Sequence, residues 1–228
     1  MTRVMICGAR RREDVSLLVE AGVDAIGLIT EVWQDIPCNL SRAEARELSR
    51  LTPPFISSVL IVTEERVDEV CRIAECVLPD VLQLHGFNTP EDVVILRERL
   101  RTKIIKTLHF QGERMAEGDD PIGHARQYIA AGANAILVDS YQEDKVGATG
   151  KTMNLDLARK LRDGIYPVPL IMSGGLHSES VVHAIDRVKP YAVDVFSGVT
   201  TGGYLDADAV RRFIARVRPG WGVYVASR

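Results

Sequence analysis

The chain has 228 residues, 46% of them hydrophobic, with 28 Lys and Arg against 31 Asp and Glu and a formal net charge of -3. That length holds one large domain or two small ones, and charges of both signs interleaved along it leave no basic face for a nucleic acid. The apolar start from Val4 to Cys7 is too short for a signal h-region, and no later run approaches the ~18 apolar residues of a membrane span. A cytoplasmic protein with no membrane partner is expected.

In chain order, short β-branched runs predict eight strands: Arg3 to Cys7, Asp24 to Ile29, Ser57 to Val62, Asp80 to Leu84, Lys103 to Leu108, Asn134 to Asp139, Val168 to Met172 and Tyr191 to Phe196. Between and after them, helical spacing recurs at Val15–Leu18–Val19, Ala45–Leu48, Val67 to Ala74, Val93–Leu96–Leu100, Leu157–Ala158–Leu161, Val181–Val182–Ile185 and Val210–Phe213–Ile214–Val217. Pro121 to Ala131 is less periodic but falls where a helix is due. Ser41 with Glu44 reads as a capping box, and Thr89-Pro90 as a cap followed by proline at the first helical position. "EAGVDAIGL" and "AAGANAILV" repeat one design, a helix ending at glycine before a buried strand, with Gly22 and Gly132 at the left-handed caps.

Eight strand–helix units make this an α/β chain and predict a single-domain (β/α)8 TIM barrel over residues 1–218, with 219–228 as an apolar C-terminal tail packing on the barrel or on a second subunit. An open doubly wound sheet usually stops at five or six strands, and no Pro- or Gly-rich linker breaks the series. The cysteines at 7, 38, 71 and 76 form no CxxC pair, so neither zinc nor a disulfide is expected, and Cys71 shares a helical stripe with Val67, Val70 and Ala74 as a core residue.

"KVGATGKTMN", from Lys145 to Asn154, has the look of a nucleoside triphosphate loop. A Walker A turn needs glycine five residues before its Gly-Lys, and here Lys145 holds that position. In a barrel this loop follows the sixth strand on the C-terminal face, where it reads as a lid with Lys151 aimed at an anionic substrate. Better phosphate signals are "MSGGLHSES", with Gly174 and Gly175 past strand seven, and "VFSGVTTGG", with Ser197 and Gly198 past strand eight. Backbone amides there bind phosphate without a charged side chain.

Two strand ends carry groups suited to proton transfer: Cys7 in "VMICG" and Asp139 in "ILVDS". A cysteine becomes a base only if its thiolate is stabilised, and an aspartate an acid only if burial raises its pKa. Each also has an ordinary reading, Cys7 as a buried strand residue and Asp139 as a loop anchor.

Taken in order, "MICGARRREDVSLLVEAGVDAIGLI", "LQLHG", "ILVDS", "GATGKT", "SGGL" and "VDVFSGV" resemble phosphoribosylanthranilate isomerase, up to about Arg218. The resemblance implies an Amadori rearrangement without cofactor or metal on a phosphorylated aminosugar, by a monomer or homodimer. It implies Asp139 as general acid on the ribose ring oxygen and Cys7 as general base at the sugar C2. It also implies phosphate contacts from the backbone at Gly175, Ser197 and Gly198, a site-lining His85 and a carboxylate, Asp194, near the sugar. Lys151 belongs nearer the phosphate or aryl end, since a cation close to Asp139 would lower its pKa.

The match breaks after strand two. Family members usually carry Ser-Pro-Arg there, the arginine pairing with the anthranilate carboxylate, whereas "TEVWQDIPCNLS" from Thr30 to Ser41 has no cation and adds Glu31 and Asp35. Either Arg10, Arg11 or Arg12 reaches across from the first loop, or the substrate lacks that carboxylate and Trp33 offers a stacking surface. Three other readings compete: an isomerase of altered aryl specificity, a non-catalytic phospho-ligand sensor, and a sister barrel enzyme such as indoleglycerol phosphate synthase. The last needs a lysine acid at a strand end, and only Lys106 comes near one. Against a sensor, a poised Cys7 thiolate would alkylate faster than Cys71.

Overall fold

The computed structural model describes residues 1–220 apart from 34, 113, 117, 143, 144 and 147–153; the side chains at 141, 142, 145 and 146 lie outside the description as well. The expectations for Lys151 and for the tail beyond Gly220 fall on residues outside it.

Strands and helices alternate eight times: β1 (Arg3–Cys7), α1 (Arg12–Ala21), β2 (Ala25–Ile29), α2 (Arg42–Leu51), β3 (Ser57–Val62), α3 (Val67–Val77), β4 (Val81–Leu84), α4 (Pro90–Arg99), β5 (Lys103–Gln111), α5 (Pro121–Ala130), β6 (Ala135–Gln142), α6 (Leu155–Ile165), β7 (Leu170–Met172), α7 (Val181–Val188), β8 (Ala192–Val195) and α8 (Ala207–Val217). Each strand pairs in parallel with the next, and β8 pairs with β1, so the sheet closes into the expected (β/α)8 barrel.

The period of two along each strand sorts its residues into two layers. Even-numbered side chains on β1 to β7 such as Ile6, Leu28, Leu60, Leu82 and Ile136, and odd-numbered Val193 on β8, face the helices and form the outer core. Odd-numbered ones, Met5, Cys7, Ile29, Val59, Ile61, Ile105, Leu137 and Ile171, fill the barrel. At Gly27 an added Cβ would lie 2.4 Å from the Cys7 sulfur, so glycine on β2 makes the room that the Cys7 side chain occupies.

Ser41 and Glu44 form the capping box that starts α2, and Thr89 caps α4 with Pro90 behind it. Gly22 is the left-handed cap of α1; Gly132 has positive φ one residue after Ala131, which caps α5. Cys71 is buried in the outer core and Cys76 is half-buried. No helix among the described residues is long and apolar enough to cross a membrane.

β5 and β6 run past their predicted ends, each turning back on a two-residue antiparallel strand, Arg114–Met115 and Lys145–Val146. Lys106 therefore sits mid-strand. Its even number turns it outward, where Nζ donates to the Gly86 and Thr107 carbonyls at 2.8 Å each and lies 5.0 Å from the centre of the Tyr128 ring. A lysine so placed cannot meet a substrate in the barrel mouth, which removes the synthase reading.

Candidate active site

A cavity of about 560 Å³ opens at the C-terminal ends of the strands. Cys7, His85, Asp139, Gly174, Gly175, Asp194 and Ser197 all line it, so seven of the residues expected from the sequence converge from β1, β4, β6, β7 and β8. Its apolar wall comes from Ile29, Val32, Trp33, Ile36 and Ile61 on the β2 and β3 side, with Phe196 beside them.

Asp139 is buried, and removal from water pushes its carboxyl up to about 7, helped by the Asp194 charge and opposed by the Ser140 amide. Its Oδ1 accepts that amide at 2.8 Å, and its Oδ2 lies 3.5 Å from Nε2 of His85. His85 is held neutral, well below the ordinary histidine range, by burial and then by the charges of His109 and Lys106. Its Nδ1 lies 3.3 Å from both Gln83 Nε2 and Thr107 Oγ1; taking these as donors assigns the proton to Nε2, which then faces Asp139. Behind it His109 Nε2 is 2.9 Å from the His85 carbonyl and fixes the end of β4.

Cys7 departs from expectation. Its sulfur donates a hydrogen bond to Asp194 Oδ1 at 2.9 Å, and burial, followed by that neighbouring carboxylate, drives the thiol pKa well above its ordinary value. The resting group is thus a thiol and not a poised thiolate, and the expected alkylation advantage over Cys71 disappears. The second oxygen of Asp194 accepts from Ser173 Oγ at 3.3 Å. Burial lifts Asp194 to about 6, with the Cys7 and Ser173 hydrogen bonds opposing. At neutral pH the pair is a thiol donating to a carboxylate.

The loops after β7 and β8 touch. A Cβ on Gly198 would come 2.0 Å from the Leu176 carbonyl oxygen, so the turn at Ser197–Val199 packs its backbone directly on the loop after β7. Gly174 has φ +85°, and a Cβ there would meet the Ser140 amide at 2.8 Å and Asp139 Oδ1 at 3.1 Å. Gly174→Ala is expected to strain the backbone and shift Asp139, lowering turnover about 100-fold, the scale of a ~1 Å misplacement. Steady-state kinetics beside a thermal melt checks this; a folded variant with unchanged kcat would refute it.

The loop after β2 is closed on itself. Thr30 bridges to Leu40, and the Asn39 side chain accepts from the Val32 amide at 3.1 Å and donates to the Val32 carbonyl at 2.8 Å. Glu31 turns outward to Arg42, leaving Asp35 as the acid of this loop that lines the cavity. Arg10 is not in the lining; its guanidinium lies over the Tyr204 ring, 4.5 Å from the centre.

Comparison with known proteins agrees with the fold. The family model for N-(5'-phosphoribosyl)anthranilate isomerase matches residues 4–216. The isomerase of that name from Natronomonas pharaonis is 38% identical over 94% of this chain and 97% of its own, and that of Methanothrix thermoacetophila 36% over 96% and 99%. The crystal structure of phosphoribosyl anthranilate isomerase from Thermotoga maritima superposes with a TM-score of 0.77 at 32% identity, covering 95% of this chain and 98% of that one. A structure of the isomerase holding reduced 1-(o-carboxyphenylamino)-1-deoxyribulose 5-phosphate gives 0.73 at 30% identity over the same shares. This chain belongs to the N-(5'-phosphoribosyl)anthranilate isomerase family.

Proposed function

We propose that Asp139 and the Cys7–Asp194 pair carry the two proton transfers by which this isomerase of tryptophan biosynthesis converts N-(5'-phosphoribosyl)anthranilate into 1-(o-carboxyphenylamino)-1-deoxyribulose 5-phosphate. The observation that carries the reading is the pairing, in one cavity, of an acid raised to about 7 with a thiol already hydrogen-bonded to a carboxylate.

Asp139 gives its proton to the ribose ring oxygen as the C1–O bond breaks, and the nitrogen lone pair forms the C1=N iminium. That cation is the electron sink for the next step. The C2 proton passes to the Cys7 sulfur while the thiol's own proton passes to Asp194 Oδ1. The C2–H electrons become the C1=C2 bond of an enolamine, and the iminium pair returns to nitrogen. The Asp139 carboxylate takes the enol proton and the pair returns its extra proton at C1, which completes the ketone and restores both groups. The pair holds one proton before the step and two after it, so no free thiolate is needed beforehand. His85 Nε2 steadies the Asp139 carboxylate once its proton has gone, and the backbone at Gly174, Gly175, Ser197 and Gly198 receives the phosphate.

The test generates phosphoribosylanthranilate in situ and follows loss of its fluorescence. Wild-type protein is expected to consume it, and Cys7→Ala to lose at least 1,000-fold, within the ~10²–10⁴ range for one acid-base group. Folded wild-type protein that leaves the substrate untouched would favour a phospho-ligand sensor, which needs neither Cys7 nor Asp139.

A further inference from the structure

The reduced product held by one relative carries an o-carboxyphenyl group. On the isomerase reading, on which the following rests, the cavity must place an aryl carboxylate. Phosphate belongs to the β7 and β8 loops, so the aryl ring falls against the apolar wall of the β2 and β3 loops. Among the described residues no lysine or arginine lines the cavity, and that wall carries Asp35. A carboxylate beside an aspartate and an indole needs a cation from outside the lining.

The arginines at this end of the barrel are mostly committed. Arg11 pairs with Glu13 and Asp14, Arg12 with Glu47, Arg42 with Glu31 and Glu69, and Arg66 with Glu64. Arg114 lies on the hairpin after β5, the strand opposite β1 in the ring. Arg10 differs: among the described residues its guanidinium forms no ion pair, and its side-chain partner is the face of Tyr204.

The surroundings of Arg10 favour the role. Three loops meet there. Gly203, next to Tyr204 in the hairpin after β8, packs so closely on Pro37 that a Cβ would come 2.9 Å from the proline ring. Cys38 follows Pro37, its sulfur 3.7 Å from the Cβ position of Gly8, two residues before Arg10. Arg10 is near enough to Cys38 and to Glu44 for its charge to favour their ionised forms. Its guanidinium thus stands between the β1 loop and the loop whose Val32, Trp33 and Ile36 make the aryl wall. Stacking uses the guanidinium face and leaves its edge, the part that pairs with a carboxylate through two parallel N–H bonds.

We propose that Arg10, held on Tyr204, is the specificity-determining cation that reads the aryl carboxylate, delivered from the loop after β1. A charged pair of this kind is worth about 10- to 100-fold in binding.

The test measures kcat/KM for N-(5'-phosphoribosyl)anthranilate and for N-(5'-phosphoribosyl)aniline, which lacks the carboxylate, each formed from ribose 5-phosphate and the amine. Wild-type protein is expected to prefer the anthranilate compound by about 10- to 100-fold. Arg10→Met should erase that preference through KM, leaving the aniline rate within about twofold. Tyr204→Leu, at a half-exposed position, should lower the anthranilate value alone by about three- to tenfold. Equal loss on both substrates would make Arg10 merely structural, and a wild-type protein indifferent to the carboxylate would mean that it goes unread; either overturns the proposal. So would an Arg10→Met protein that keeps its preference. If wild-type protein turns over neither compound, the isomerase reading has failed and not the assignment of Arg10.

Discussion

Asp139→Asn is expected to lose turnover by roughly 1,000-fold and, at pH 8, to unfold less readily than the wild type. The two effects share one cause. Burial lifts the Asp139 carboxyl from 3.8 in its ordinary state to about 7 in the fold. Between those values the folded chain holds a proton that the unfolded chain releases, so stability falls as pH rises through the window. Below about 4 both states are protonated and the full stability is present; above about 7 both are ionised and the loss is complete. Three units at 1.36 kcal/mol each set that loss on the order of 4 kcal/mol.

Asparagine keeps the volume and can still accept the Ser140 amide, but it carries no charge to bury. Urea unfolding at pH 8 should show the variant ahead by a few kcal/mol, and at pH 4 the gain should vanish. Equal stabilities at both pH values would mean that the carboxyl is not raised and that Asp139 is no acid near neutrality. On the proposed role, the site gives up stability for a usable proton.

Why some of this is legible in the sequence and some is not follows from how each signal is carried. The barrel is legible because its strands are short, apolar and separated by capped helices, and every one of those signals is local. Cys7 and Asp139 stand out as polar ends of apolar runs. The residues that sequence reading missed, Gln83, Thr107, His109 and Ser173, carry a weaker local mark: all have odd numbers and share the inward parity of His85 and Asp139 on β4 to β7. A polar residue two before or after an inward site residue is therefore worth testing as its support.

Lys106 stands further from its strand end than the sequence suggests, for a related reason. Its distance from the strand end depends on a hairpin that extends β5 to Gln111, while its parity alone already turns it away from the mouth. The protonation of Cys7 is not legible locally at all. Its partner Asp194 is 187 residues away and arrives only because β8 closes the ring on β1.

That closure makes Asp194→Asn the second decisive substitution. On the proposed relay, Asp194 must be ionised to take the proton that Cys7 passes on, and its carboxyl sits at about 6. Asp139 must be protonated to open the ribose ring, and its carboxyl sits at about 7. The pH profile of kcat/KM in the wild type should therefore be a narrow bell, falling below about 6 as Asp194 is protonated and above about 7 as Asp139 is ionised. Asn at 194 cannot accept a proton. Activity should drop by about 100- to 1,000-fold, the acid limb should vanish and the alkaline limb should persist but move to lower pH, because the Asp194 charge that helps raise Asp139 is gone. The thiol should respond in the opposite direction. The Asp194 charge is one of the causes that raise the Cys7 pKa, so its removal lowers that pKa and speeds alkylation at pH 8. A variant less active in isomerisation yet more reactive at Cys7 is the signature of a relay. If Asp194→Asn instead kept its acid limb, or slowed alkylation along with turnover, Asp194 would be holding Cys7 in place without exchanging a proton with it.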